Sequence, residues 1–267
     1  MPVPSWSELH FIANGTYATV ATVVLDTALL LLIMYSVVEW WRTGRPTLCL
    51  CLIGGAVASL VEPLWDQMGR LFIYEHGVGA GYVTVAERVL PYWLIAPYSI
   101  FVGGTAYLVY RIARDERPRI YFYGAVGATI ALNLLFEIPL THARLYVYFG
   151  EQAFSPTGFP AAWAFMNLGG VLSGLALAKA PQVFSGVGSV LITPLVTMSF
   201  VAWEMGVGWP VYVVNSSTTA AGPVYLAASA AISTSIALIY NIGRIAFPTH
   251  TAPVFHEGVP ISQAGQR

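Results

Sequence analysis

Three glutamates punctuate long apolar runs in the same way. Ser59-Leu60-Val61-Glu62-Pro63-Leu64-Trp65-Asp66 closes one run. Phe136-Glu137-Ile138-Pro139-Leu140 closes another and is followed by Arg144-Leu145-Tyr146-Val147-Tyr148. Trp203-Glu204 closes a third and is followed by Trp209-Pro210-Val211-Tyr212. A carboxylate at the lip of a hydrophobic segment is costly to place there, and such groups mark functional sites by default. Carboxyl groups gathered in a partly dry cavity cannot all be charged without strong repulsion. One then keeps its proton and becomes a donor beside charged neighbours, which suits general acid catalysis or proton-coupled binding. Asp66 lies four residues after Glu62, on the same helical face if the helix continues past Pro63, so the two can share a proton. Glu62, Glu137, Glu204 and Asp66 are therefore the candidate catalytic acids. The plainer alternative is solvated interfacial carboxylates paired with Arg70, Arg88 or Arg144.

Two further acids fall within apolar runs. Asp26 lies deep in the first, where a charge costs about 2.5 to 3.5 kcal/mol on insertion scales. A hydrogen bond to Asn133, Asn167 or Asn241 would satisfy it. Glu39 lies near the other end of that run, within reach of Arg42.

Polyene-type substrates also need aromatic faces to stabilise developing positive charge. Trp65, Tyr74, Trp93, Tyr98, Trp163, Trp203, Trp209 and Tyr212 fall near the same three glutamates and form the candidate substrate-binding set. Interfacial anchoring and packing is the competing account of these rings.

Several chemistries lack their residues. Glu62, Asp66, His76, Glu137, His142 and Glu204 offer oxygen and imidazole, but no HxxxH or HExxH spacing is present, so neither a metal nor another cofactor is expected. A retinal protein needs a lysine within its last span, whereas Lys179 is the single lysine of the chain and lies elsewhere. Phosphate-binding glycine motifs and nucleophile elbows are absent from the sequence. Cys49 and Cys51 point about 200° apart on a helix and cannot bridge each other.

The elements that must position these groups follow from composition. The chain of 267 residues is 57% hydrophobic and 9% charged, with a mean hydropathy of +0.67. An ordinary soluble domain carries about 25% charge. This is the composition of an all-α polytopic membrane protein, with the lipid bilayer as its solvent. A net charge of −1 without a basic block argues against nucleic acid as a partner. Eleven arginines against one lysine, with abundant Ala, Gly and Val, point to a high-GC bacterial genome.

Seven apolar segments are long enough to cross a membrane: 16–41, 48–64, 89–110, 120–140, 160–178, 187–203 and 220–242. No Lys or Arg precedes the first, so it is expected to be an uncleaved helix rather than a signal peptide. Arg42, Arg45, Arg111, Arg114, Arg117, Arg119, Lys179 and Arg244 lie on one side of these spans. Arg70, Arg88 and Arg144 lie on the other. The excess marks the cytoplasmic side, which places the N-terminus outside and the C-terminus inside the cell membrane. Residues 1–246 then form the transmembrane domain and 247–267 a flexible cytoplasmic tail. All three glutamates fall on the outer side, and hairpins one-two, three-four and five-six read as three copies of one unit plus a last helix. The loops 66–88 and 141–159 alternate apolar and polar residues and are expected to cap the outer ends. Gly103-Gly104 and Gly169-Gly170 read as close helix-packing sites.

With these features the chain resembles the small integral-membrane terpene cyclases of fungal meroterpenoid and indole-diterpene pathways. The likeness lies in length, in seven helices and in intramembrane acids. That family carries a Trp-Glu pair on its second helix and a second acid near its last. Here Glu62 takes the second-helix position without a preceding tryptophan, Trp203-Glu204 forms the pair on the sixth span, and span seven holds no acid. The resemblance implies protonation-initiated chemistry on a lipophilic, isoprenoid substrate. A small-ligand receptor or proton-coupled transporter using the same pocket, and a structural subunit of a membrane complex, are the alternatives. Oligomeric state is not set by the sequence.

Overall fold

The computed structural model describes residues 15–73, 81–85 and 88–248, so Tyr74, His76 and nearly all of the C-terminal segment lie outside the described residues. The described chain is predominantly helical. Six helical stretches are long and apolar enough to cross a membrane: Gly15–Thr43, Thr47–Gly69, Tyr92–Arg114, Arg119–His142, Gly186–Ser217 and Ala221–Ala246. The apolar segment expected at 160–178 does not form one continuous helix. It folds as α7 (Ala162–Met166) and α8 (Gly170–Lys179), interrupted at 167–169.

The glutamates sit inside the helices rather than at their ends. Helix α2 (Thr47–Ala58) passes through a 3-10 turn, Ser59–Val61, into α3 (Glu62–Gly69), so Pro63 occupies the first turn of α3. Proline is tolerated there because that N–H has no intrahelical acceptor anyway. Glu62 and Asp66 consequently share a helical face. Helix α6 (Arg119–His142) runs through Pro139, and α9 (Ile192–Ser217) runs through Pro210. In membrane helices the backbone groups that a proline frees are re-satisfied locally. The apolar run that was expected to stop at Trp203 therefore continues, and Glu204 lies near the middle of α9.

The third span is irregular where it meets the second. A 3-10 turn (Tyr92–Leu94), α4 (Ile95–Tyr98) and a widened π turn (Ser99–Gly103) lead into α5 (Gly104–Arg114). The backbones cross closely at this point. A side chain on Gly103 would place its Cβ 2.4 Å from the Cys51 carbonyl oxygen. One on Gly170 would lie 2.6 Å from the Val102 carbonyl oxygen. These are the contacts that small residues permit between membrane helices. Gly104, by contrast, meets nothing within 4 Å.

The two segments expected as interfacial caps supply β-strands, and 89–91, expected to open the third span, is strand as well. Strand β1 (Leu71–Ile73) pairs antiparallel with β4 (Tyr146–Tyr148), in the register Leu71↔Tyr148 and Ile73↔Tyr146. Strands β2 (Tyr82–Val85) and β3 (Arg88–Pro91) form a hairpin. Helix α10 (Ala221–Ala246) packs on α9 and α7. Helix α1 (Gly15–Thr43) stays peripheral, burying only Ala18, Leu25 and Ser36.

Candidate functional site

One cavity collects the acids. Glu62 and Asp66 of α3, Glu137 of α6 and Glu204 of α9 all line it, with about 830 Å³ of atom-free space counted out to its mouth. About 70 Å³ of it admits the centres of water-sized spheres, room for a few water-sized groups.

The β1–β4 ribbon forms the roof. Side chains of a strand alternate between faces, so Leu71 and Ile73 point the same way as their partners Tyr148 and Tyr146, and all four line the cavity. Phe101, Val102, Asn133, Asn167 and Phe200 also contribute to the lining. Asn133 and Asn167 face each other at 3.5 Å, with the Asn167 amide donating to Asn133 Oδ1. The break between α7 and α8 thus delivers a polar side chain to the cavity.

Each glutamate is held by a tyrosine. Tyr98 donates its hydroxyl to Glu62, Tyr146 to Glu137, and Tyr212 to Glu204, the last at 2.9 Å. The donors arrive by different routes: from the next span, from the roof strand and from two turns along the same helix. Tyr146 and Tyr148 lie outside the spans. Burial, and then the charge of Glu137, holds both phenols well above the usual tyrosine range, so they act as hydrogen-bond donors rather than phenolates.

Several buried polar atoms of this set make no hydrogen bond to another protein group: Asp66 Oδ1, Glu204 Oε2, Trp65 Nε1 and Trp93 Nε1. Glu204 is wholly buried and Asp66 nearly so, at 3% exposure. The salt bridges of Arg111 and Arg114 involve none of the four cavity acids, and the charge of Arg88 acts on Asp66. The plain alternative of solvated interfacial carboxylates therefore does not describe Glu204 or Asp66.

Arg70 is committed elsewhere. It adopts a left-handed conformation (φ 58°) that ends α3, its N–H bonding to the Asp66 carbonyl. Its guanidinium donates to the carbonyls of Asn215 and Thr218 at the end of α9, the latter at 2.8 Å. Its own carbonyl accepts from Phe149 N–H at 2.9 Å. One residue, through its side chain and its backbone together, ties the Asp66 helix, the end of the Glu204 helix and the segment that follows the roof strand. The favourable placement of a cation at a helix C-terminus explains how it is accommodated without a carboxylate partner.

The aromatic set divides. Trp65, Trp93, Tyr98 and Trp163 line the cavity. Tyr212 stands behind it, stacked on Trp65 at 5.7 Å and tilted against Trp163 at 6.0 Å, where it positions Glu204. Trp203 is buried but turned away, its indole N–H bonding to the Phe165 carbonyl at 3.1 Å. Trp209 is 58% exposed and takes no part. On a helix these two residues face other directions than Glu204, whereas proximity in sequence had grouped them with it. Tyr74 lies outside the described residues. Tyr146, an aromatic residue near the same ends in the sequence, also lines the cavity, and Tyr148, Phe101, Phe136 and Phe200 line it without having been singled out as ligand contacts. The apolar/polar alternation at 144–149 was the available signal for the two tyrosines.

The other acids lie apart. Glu39 accepts from Tyr107 and from Arg111 Nη1 at 3.1 Å, so its ion-pair partner is Arg111 rather than Arg42. Asp26 is on the exposed face of α1. None of the three asparagines serves it: Asn133 and Asn167 meet each other, and Asn241 donates to the Ala237 carbonyl. Among the described residues no group of three or more His, Cys, Asp or Glu is arranged to hold a metal ion.

Compared with known proteins, the chain matches no family model, no curated protein and no solved structure.

Proposed function

We propose that this protein is a membrane-embedded enzyme that acts on a lipophilic, isoprenoid-type substrate by acid catalysis in the carboxyl-lined cavity. The observation that carries this reading is the gathering of four carboxyl groups in one aromatic-walled cavity. In the proposed chemistry a carboxyl O–H of the Glu62–Asp66 pair, or of Glu204, protonates an alkene or an oxygen of the bound substrate. The faces of Trp65, Trp93 and Trp163 stabilise the cation that forms. A neighbouring carboxylate takes the proton released at the end and passes it to the carboxylate that gave the first one, so acid and base are both restored.

The likeness to integral-membrane terpene cyclases supports the same reading. In the proposed topology α7 and α8 together complete a seventh crossing. The basic residues Arg42, Arg111, Arg114, Lys179 and Arg244 then close helices on the cytoplasmic side of the cell membrane, and the cavity opens toward the outer half. A transporter reading would need an inward route past Asp26. The exposed placement of that residue gives such a route no support.

The test is mass spectrometry of the lipid extract of protein purified from its own membranes, for wild type and for Glu62→Gln, Asp66→Asn, Glu137→Gln and Glu204→Gln. The expected result is a bound isoprenoid, with unconverted substrate accumulating in the variants. Full conversion by all four variants would overturn the proposal.

A further inference from the structure

Asp26 has no reason to be where it is if α1 faces only lipid. The helix rises about 1.5 Å per residue, so Asp26 lies about 5 Å from the midpoint of Gly15–Thr43, well inside a hydrocarbon core about 30 Å thick. It is exposed, and among the described residues no donor reaches it. The described residues offer no intramolecular cation, because their Lys and Arg lie at the ends of the candidate spans or in the connections between them. Ionisable residues in membrane helices almost always face protein or water rather than lipid, and pair with one another.

The surface around Asp26 is regular. Thr19, Val23, Asp26, Leu30, Ile33 and Val37 recur at alternating steps of four and three, the spacing of a two-helix seam. All six are exposed; Val23, Leu30 and Val37 are each more than half so. The seam lies about a quarter turn around the helix from Ala18, Leu25 and Ser36, through which α1 meets the rest of the chain. It therefore remains open while α1 is docked.

We infer that this stripe is the interface of a homodimer in which Asp26 of one copy hydrogen-bonds Asp26 of the other. A two-fold axis between parallel α1 helices sets each stripe residue against its own equivalent. A carboxyl group is suited to that arrangement, since it carries both a donor and an acceptor and is complementary to itself. One Asp26 donates its O–H to a carboxyl oxygen of its copy, and the flanking Val23 and Leu30 pack around the pair and exclude lipid. A single polar residue within an apolar seam fixes register and partner number. A second copy is the occupant that needs no residue beyond those already in the chain.

Stoichiometry of the full chain in lipid nanodiscs and vesicles, counted by single-molecule photobleaching, tests this. Wild type is expected to show two copies per particle. Asp26→Leu is expected to be monomeric, or weaker in association by at least tenfold, while Asp26→Asn, whose amide is also self-complementary, retains the dimer. Val23→Trp, on the seam, is expected to loosen the dimer, and Val24→Trp, exposed but off the seam, to leave it intact. These two variants keep the test decisive if Asp26→Leu fails to fold. Single copies of wild type, undiminished dimers of Asp26→Leu and Val23→Trp, or a stoichiometric basic membrane protein in place of the second copy would each overturn the inference.

Discussion

Glu39 and Glu204 are both intramembrane glutamates held by a tyrosine hydroxyl, and they differ in one respect. Each leaves one buried carboxylate oxygen without a hydrogen bond, but Glu39 has Arg111 at 3.1 Å, while Glu204 forms no salt bridge among the described residues. The first is an ion pair between α1 and α5. The second is an acid kept in a buried, ring-lined space among other acids. Tyrosine alone does not decide the role of a buried glutamate; the arginine does. Buried charges that serve structure are paired, and unpaired ones concentrate at functional sites.

The sharpest way to break this comparison is at the cavity. Asp66→Asn is expected to lower product formation by about 10² or more, the usual contribution of a positioned general acid, as measured by conversion in native-membrane extracts. Next in size, Arg70→Ala is expected to lower stability by about 3 kcal/mol, because it removes charge-assisted bonds to the end of α9. Thermal unfolding in nanodiscs would register that loss, and an unchanged melting temperature would show that Arg70 is not the tie between α3, α9 and the roof. At the opposite end, Glu39→Gln is expected to cost about 1–2 kcal/mol with conversion intact, the reverse of the pattern at the cavity. The smallest effect concerns the roof. The raised Tyr146 phenol contributes stability that is fully present below the ordinary tyrosine range and is lost as pH climbs through its folded-state value. Unfolding temperature should therefore begin to fall above about pH 10, and less steeply in Tyr146→Phe.

Much of the site was legible because its signals are local. A glutamate inside an apolar run is visible in a short window, and its fourfold spacing to Asp66 fixes a shared face once the helix persists past Pro63. What sequence spacing misjudged was where helices stop. Pro210 and the polar residues after Glu204 read as an ending, yet within a membrane a helix tolerates both, so Glu204 lies a further three turns inside. Direction around a helix was equally hidden: Trp203 adjoins Glu204 in sequence and faces Phe165 instead. The roof depends on pairing three-residue strands that are 75 positions apart, a contact with no periodic signature. The expected threefold repeat survives in the three glutamates, but their tyrosine partners come from unrelated places. Similar ends therefore need not mean similar hairpins.

The most direct test measures unfolding temperature and substrate conversion on the same Glu204→Gln protein. The amide still accepts from Tyr212 and replaces a buried carboxyl that forms no salt bridge among the described residues. The account predicts unchanged or higher stability together with loss of conversion, the trade expected of a residue kept for function. Lowered stability with full conversion would place Glu204 beside Glu39 as a structural group and contradict the account.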